Sequence, residues 1–304
     1  MKAKILDGKN ISEQIRQELR VRVDALRILG IQPGLGVVLV GDDPASRSYV
    51  TAKERACAET GVYSIETHLP VSSGRNEVLD VVRALNQNPA IHGILVQLPL
   101  PDASMERDVL ETVDPDKDVD GFHPVNVGRM VLGLPSFWPC TPHGVLQILS
   151  RSGIPIAGAH VVIVGRSNIV GRPLANLLTR KGPLGDATVT LCHTRTRDLA
   201  RHTLAADIVV AAAGRPMTLR AEMVRSGAVV IDVGVNRIPD ASRKSGMRLV
   251  GDVAYDELVE KTSAITPVPG GVGPMTITML LQNTIESAER HLTSGKLSRP
   301  PCAS

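Results

Sequence analysis

Short aliphatic runs and helical stretches take turns along almost the whole of this sequence, and that alternation leaves few folds open. Gly36-Val-Val-Leu-Val40, a segment around 64–69, Ile94-Leu-Val-Gln97, Val161–Val164, Thr188–Leu191, Ile208–Ala211 and Val229–Asp232 read as short strands, most of them apolar at nearly every position. Such runs fit strands covered on both faces. Between them lie helical patterns. Ile11, Ile15, Leu19, Val23 and Leu26 recur at helical spacing, with Asn10 as the expected cap and Glu13 as its capping-box partner. Further helices are expected over about 46–61, 75–87, 142–152, 172–181 and 275–292. Strand and helix alternating at this interval predict an α/β fold built on parallel sheets. A chain of 304 residues exceeds one average domain, so two lobes are expected, with a boundary near Cys140-Thr-Pro142. Residues 1–140, joined by the C-terminal stretch 275–304, form the first; residues 141–274 read as a Rossmann-like dinucleotide-binding domain.

Composition narrows the function classes. Aromatic residues are only 2% of the chain against 43% hydrophobic, so the core is aliphatic and a tyrosine at a polar position stands out. The 34 basic and 31 acidic residues are interspersed for a net charge of +3, which predicts no nucleic-acid partner. There is no run of about 18 apolar residues, so no membrane span is expected. The first residues lack the apolar core of a signal peptide. Cysteines 57, 140, 192 and 302 form no CxxC pair and read as reduced thiols of a cytoplasmic protein; Cys302 does not fit a prenylation site. The eight histidines show no HExxH spacing, and no metal is expected.

Five places carry polar chemistry. Tyr49 and Lys53 are four apart on an expected helix, sharing a face with Ser46, just past the strand end where open α/β sheets bind ligands. Spacing alone favours the plainer reading, an exposed pair on a wet helix. Gln97 ends an apolar run at the same sheet edge and sharpens the case. Asp116, Asp118, Asp120 and Gly121 imitate the opening of a calcium loop, but its twelfth position is Val127, so the calcium reading fails. A polar turn and a carboxylate that receives donors from a ligand both remain open. Gly165-Arg166-Ser167-Asn-Ile-Val-Gly171 follows a strand and opens a helix, where a pyrophosphate meets helix N–H groups. The next strand leads to His193-Thr194-Arg195 rather than to an acid, which favours a 2′-phosphate and hence NADP. Pro269-Gly270-Gly271-Val-Gly-Pro274 lets backbone approach a flat ligand, or is merely a tight connection.

Together these motifs resemble the bifunctional methylenetetrahydrofolate dehydrogenase/methenyltetrahydrofolate cyclohydrolase family. The likeness runs from Leu6-Asp7-Gly8 to the last helix. It is sharpest in Tyr49-Val-x-x-Lys53-x-Arg55 and Pro269-Gly-Gly-Val-Gly-Pro-Met-Thr276, with Gly93-Ile-x-Val-Gln97, Lys117-Asp-Val-Asp-Gly121, Cys140-Thr-Pro142 and Val164-Gly-Arg-Ser167 in order. The resemblance implies two α/β lobes around a cleft, the last helix returning to the first lobe, and a homodimer. It implies tetrahydrofolate derivatives as substrates: 5,10-methylenetetrahydrofolate is oxidised with NADP and the methenyl product hydrolysed to 10-formyltetrahydrofolate. By the same resemblance Lys53 is the catalytic lysine, Gln97 tunes it and Tyr49 stacks on the folate. Asp120 receives the pterin, with Pro269, Gly270 and Gly271 beside the substrate, and Gly165, Arg166, Ser167, Thr194 and Arg195 hold the cofactor phosphates. Arg55 stands where the family usually has Lys, and Thr194 where many members have Ser.

Overall fold

A computed structural model describes residues 2–243 and 246–293. Strand β1 (Lys4–Ile5) leads into helix α1 (Gly8–Ile28), followed by β2 (Gly34–Val40), α2 (Pro44–Thr60), β3 (Tyr63–Leu69), α3 (Arg75–Gln87) and β4 (Gly93–Val96). Three α-helices come next: α4 (Glu106–Thr112), α5 (Pro124–Val131) and α6 (Cys140–Arg151). The alternation resumes with β5 (His160–Val164), α7 (Gly171–Thr179), β6 (Thr188–Cys192), α8 (Leu199–Thr203), β7 (Ile208–Ala211) and β8 (Val229–Asp232). The chain closes with β9 (Asn236–Pro239), β10 (Met247–Val250), α9 (Tyr255–Leu258), β11 (Ala264–Ile265) and α10 (Val272–Thr293).

The chain divides into two compact units. One comprises Ile15–Gly128, Ser136–Trp138 and residues from Leu280 on; it holds a three-stranded parallel sheet in the order β3-β2-β4. Every residue of β2 and β4 is buried, as their unbroken apolar sequences require. Val78, Leu79, Val82 and Leu85 of α3 pack with them into one core. The last helix closes this unit through polar side chains: Ser287 Oγ donates to the carbonyls of His92 (2.6 Å) and Asp116 (2.8 Å), and Asn283 Nδ2 to that of Val119 (2.8 Å). Arg22 forks onto Glu289 at 2.9 and 2.7 Å. The expected return of the last helix to the first lobe is thus observed.

The other unit comprises residues up to Gln14, Arg129–Pro135 and Pro139–Met279. Its six strands run in the order β1-β11-β8-β7-β5-β6, with every pair parallel. β9 and β10 form a separate antiparallel hairpin. No helix among the described residues is long and apolar enough to cross a membrane.

Several details differ from the sequence reading, which also has no counterpart for α4, α5, α8, α9 and β11. α1 begins two residues before Asn10, and its cap is Asp7, whose Oδ1 accepts the Asn10 backbone N–H at 3.0 Å. A two-residue strand, β1, has no counterpart in the reading, nor does the β9–β10 hairpin. α10 begins at Val272, so part of the expected 269–273 loop already lies in its first turn. Cys57, Cys140 and Cys192 are buried and in no disulfide among the described residues, and burial pushes the Cys57 thiol up to about 12; Cys302 lies outside the described residues.

Candidate active site

The chain reaches Lys53 through a turn and a capped helix. β2 ends at Val40, Gly41 turns with φ +80°, and Asp43 caps α2 by accepting the Ser46 N–H at 2.8 Å. Pro44 suits the first turn, which has no use for its missing N–H. Ser46, Tyr49 and Lys53 follow on one stripe; Ser46 and Lys53 are buried, while Tyr49 is 37% exposed. A parallel sheet sends the ends of β2 and β4 to the same edge, and Gln97 is the first residue past β4, its N–H still bonded to Val38 O at 2.9 Å. The result is direct contact: Lys53 Nζ donates to Gln97 Oε1 at 2.8 Å. The amide orientation is not ambiguous, because Gln97 Nε2 donates to Leu98 O at 2.7 Å. Flipping it would face donor to donor and acceptor to acceptor.

The acidic turn is anchored on several sides within the same unit. Asp118 forms a parallel bridge with Ile94, so the chain runs with β4 towards the edge that carries Gln97, and Asp120 is two residues further along, half-buried. Lys117 Nζ donates to the carbonyls of Asn86 (2.8 Å) and Asn88 (2.9 Å), caps for the end of α3. Asp118 is the buried acid of the set. It accepts N–H bonds from His123 (2.9 Å), Phe122 (3.2 Å) and Asn126 Nδ2 (2.9 Å). Desolvation pushes its carboxyl up to about 7 against the pull of those donors. Sequence reasoning singled out Asp120 and gave no role to Asp118; alternate acidic positions did not reveal which carboxylate turns inward. Among the described residues no group of three or more His, Cys, Asp or Glu could hold a metal ion.

In the six-stranded unit the turn after β5 is a cradle only glycine can line. Gly165 has φ +132°, and a Cβ there would lie 2.0 Å from Ala212 O; a Cβ on Gly171 would lie 2.0 Å from Gly165 O. Backbone is thereby exposed before α7: Arg166 and Ser167 are open to solvent, with Ser167 Oγ accepting the Val170 N–H at 3.2 Å. Thr194 and Arg195 are exposed just past β6, and the Arg195 N–H donates to His193 Nδ1 at 3.1 Å. Pro269, Gly270 and Gly271 lie against the start of α1: Lys9 N–H donates to Gly270 O at 3.0 Å, and a Cβ on Gly8 would meet Gly271 O at 1.8 Å.

A parallel dinucleotide-type sheet with a glycine turn at the carboxyl end of β5, together with a smaller α/β unit in which a buried lysine meets a half-buried glutamine, defines a nicotinamide-dependent α/β enzyme class. Sequence comparison narrows this. Residues 6–120 match the family described as tetrahydrofolate dehydrogenase/cyclohydrolase, catalytic domain, and residues 139–292 match its NAD(P)-binding domain. The chain belongs to the tetrahydrofolate dehydrogenase/cyclohydrolase family. It is 54% identical to the bifunctional protein FolD of Geotalea daltonii, over 95% of this chain and 99% of that protein. Among solved structures it is similar to the bifunctional FolD dehydrogenase/cyclohydrolase of Campylobacter jejuni (48% identity, TM-score 0.89, covering 95% and 99% of the two chains). It is similar also to the Trypanosoma brucei methylenetetrahydrofolate dehydrogenase-cyclohydrolase complexed with NADP and an inhibitor (40% identity, TM-score 0.91, covering 96% and 99%).

Proposed function

We propose that this protein oxidises 5,10-methylenetetrahydrofolate to the 5,10-methenyl compound with NADP, and then hydrolyses that product to 10-formyltetrahydrofolate. The observation that carries the reading is the 2.8 Å bond between Lys53 and Gln97 at the carboxyl edge of the three-stranded sheet. The dinucleotide, when bound, serves as the hydride acceptor. The glycine cradle at Gly165 and Gly171 fits its pyrophosphate, since N–H groups at the start of α7 meet an anion without a side chain intervening. Arg166 and Ser167 flank that contact, and Thr194 and Arg195 receive the 2′-phosphate of NADP.

Loss of hydride from the methylene bridge leaves a methenyl cation, and the same carbon then reacts with water. In the neutral form Lys53 takes a proton from that water, whereas an ammonium would repel the cation. Gln97 holds the amine by an uncharged acceptor, so it aims Nζ without adding a carboxylate that would favour the ammonium. Tyr49, one helical turn before Lys53, offers its ring to the aminobenzoyl portion. Asp120 accepts the adjacent N–H donors of the pterin edge. Pro269, Gly270 and Gly271 supply backbone that can approach the substrate closely.

On this reading residues 1–140 and 275–304, with the Pro269–Gly271 segment, serve the folate, and the rest of 141–274 serves the dinucleotide. A cytoplasmic homodimer belongs to the same proposal. The test is incubation with methylenetetrahydrofolate and either NADP or NAD, following methenyl and formyl products separately. Both products are expected with NADP; the absence of methenyl product with either nucleotide overturns the reading.

A further inference from the structure

Two buried carboxylates in the six-stranded unit have no part in the chemistry above. Asp232 ends β8 and is 2% exposed; Asp252 lies two residues past β10 and is 0% exposed. Asp232 accepts the backbone N–H groups of Gly234 (3.0 Å), Asp252 (2.9 Å) and Val253 (3.2 Å). Asp252 accepts those of Ala213 (2.7 Å) and Gly214 (2.8 Å) on one oxygen and Asn236 Nδ2 (2.9 Å) on the other. The fit admits no side chain: a Cβ on Gly234 would lie 2.2 Å from Asp252 Oδ1, and one on Gly251 would lie 1.7 Å from Asp232 Oδ2. Burying a carboxylate is costly, so two placed together and satisfied by N–H donors indicate a device that fixes the backbone they hold.

The topology says what that backbone faces. From β5 the chain goes to β6 on one side, then crosses back to β7, β8 and β11 on the other. In such a sheet the dinucleotide lies across the carboxyl ends at the switch point, with its pyrophosphate at the first strand–helix turn. The Gly165–Gly171 cradle would hold the pyrophosphate at the end of β5, and the exposed Thr194 and Arg195 would hold the adenosine half at the end of β6. The nicotinamide half would then extend over the ends of β7 and β8. Those ends are the segments 212–214 and 233–236, to which Asp252 and Asp232 are bonded.

We propose that Asp252, backed by Asp232, is a positioning residue for the nicotinamide half of the cofactor, holding the 212–214 and 233–236 loops at the height on which that half rests. The proposal rests on the functional reading above. NADP binding to the parent enzyme is therefore measured first, by calorimetry: a parent that binds no NADP overturns that reading rather than the role of Asp252. Asp252→Asn replaces an acceptor oxygen with a donor facing donors; Asn236→Ala removes only the side-chain bond to Asp252 and leaves the acid in place. Asp252→Asn is expected to raise KM for NADP at least about tenfold, and Asn236→Ala about threefold. Hydrolysis of supplied methenyltetrahydrofolate, which consumes no dinucleotide, should stay within about twofold of the parent in both. A merely structural role would lower the two activities together with the folded fraction. If Asp252→Asn does not fold, Asn236→Ala decides alone. An unchanged KM for NADP in the folded variants, or a hydrolase that falls in step with the dehydrogenase, overturns the proposal.

Discussion

Lys53 is 7% exposed, so the environment that gives its amine a use also removes it from view. The sequence placed it four residues from Tyr49 and put Gln97 at the same edge, and both inferences needed only helical spacing and the direction of a parallel sheet. Asp120 makes a sharper test of the site. Asp120→Asn keeps the size but turns one acceptor into a donor facing the pterin's donors. Losing that pairing in a desolvated site costs about 1–3 kcal/mol of binding. Both activities should fall together, about fivefold to over a hundredfold, while the NADP dissociation constant measured by calorimetry holds; loss of one activity alone would contradict the orienting role. Asp118 could not be told from its neighbours in the sequence, because Asp116, Asp118 and Asp120 alternate identically and only the pairing with Ile94 and the approach of Asn126 decide which is enclosed. Its consequence is a pH effect. Burial pushes its carboxyl to about 7 from 3.8, so the folded state holds the proton more tightly than the unfolded. Its contribution to stability is full below about pH 4 and is lost as the pH rises through about 7. The melting temperature of the parent minus that of Asp118→Asn should therefore decrease over that interval; a flat difference would show that Asp118 does not retain its proton on folding.

At the scale of elements, buried runs of four residues or more were legible, whereas the two-residue β11 was missed although both its residues are buried, and β3 was read although most of it is not. β2, β4 and β7 are buried throughout and were readable as unbroken apolar runs; β8 is buried throughout too and was readable by its Val-Val-Ile run, although it ends in Asp232. β9 (Asn-Arg-Ile-Pro) and β10 (Met-Arg-Leu-Val) pair only with each other and carry charged residues, so neither periodicity nor an apolar run marks them. β1 has two residues, both exposed, and exists because Lys4 and Ile5 pair with Ala264 and Ile265 far along the chain. The turn after β6 was readable for a different reason: what matters there is a missing acid. Thr194 and Arg195 are exposed where an NAD-binding sheet would present a carboxylate to the ribose. A charge-assisted phosphate contact contributes about 1.5–3 kcal/mol, or roughly tenfold to a hundredfold in affinity. The dehydrogenase should therefore show a kcat/KM for NADP above that for NAD by that factor, measured as reduced cofactor formed at saturating methylenetetrahydrofolate. Equal efficiency with NAD would remove Thr194 and Arg195 from the phosphate site.

On the proposed reading the two compact units divide the chemistry, and that division can be tested by separating the activities from both sides. Lys53 and Gln97 lie in the three-stranded unit, the Gly165 cradle in the six-stranded one. Hydrolysis of the methenyl compound needs the amine but no dinucleotide; oxidation of the methylene compound needs the dinucleotide but no proton acceptor for water. Lys53→Met keeps an unbranched apolar stem of similar length in a buried site and removes the amine, so methenyl hydrolysis should be abolished while NADP binding is unchanged. Gly165→Ala does the opposite. Its Cβ would stand 2.0 Å from Ala212 O at a φ of +132°, so the turn after β5 must shift and the pyrophosphate cradle with it. NADP affinity should drop at least about tenfold and the dehydrogenase with it, while hydrolysis of supplied methenyltetrahydrofolate persists. The measurement is a pair of assays on each variant, methenyl consumption without dinucleotide and reduced cofactor formation with it, alongside NADP binding. Opposite losses in the two variants are expected. If Gly165→Ala folds and loses hydrolysis as fully as oxidation, hydrolysis depends on the dinucleotide turn as well as on the folate site that both steps share, and the division fails.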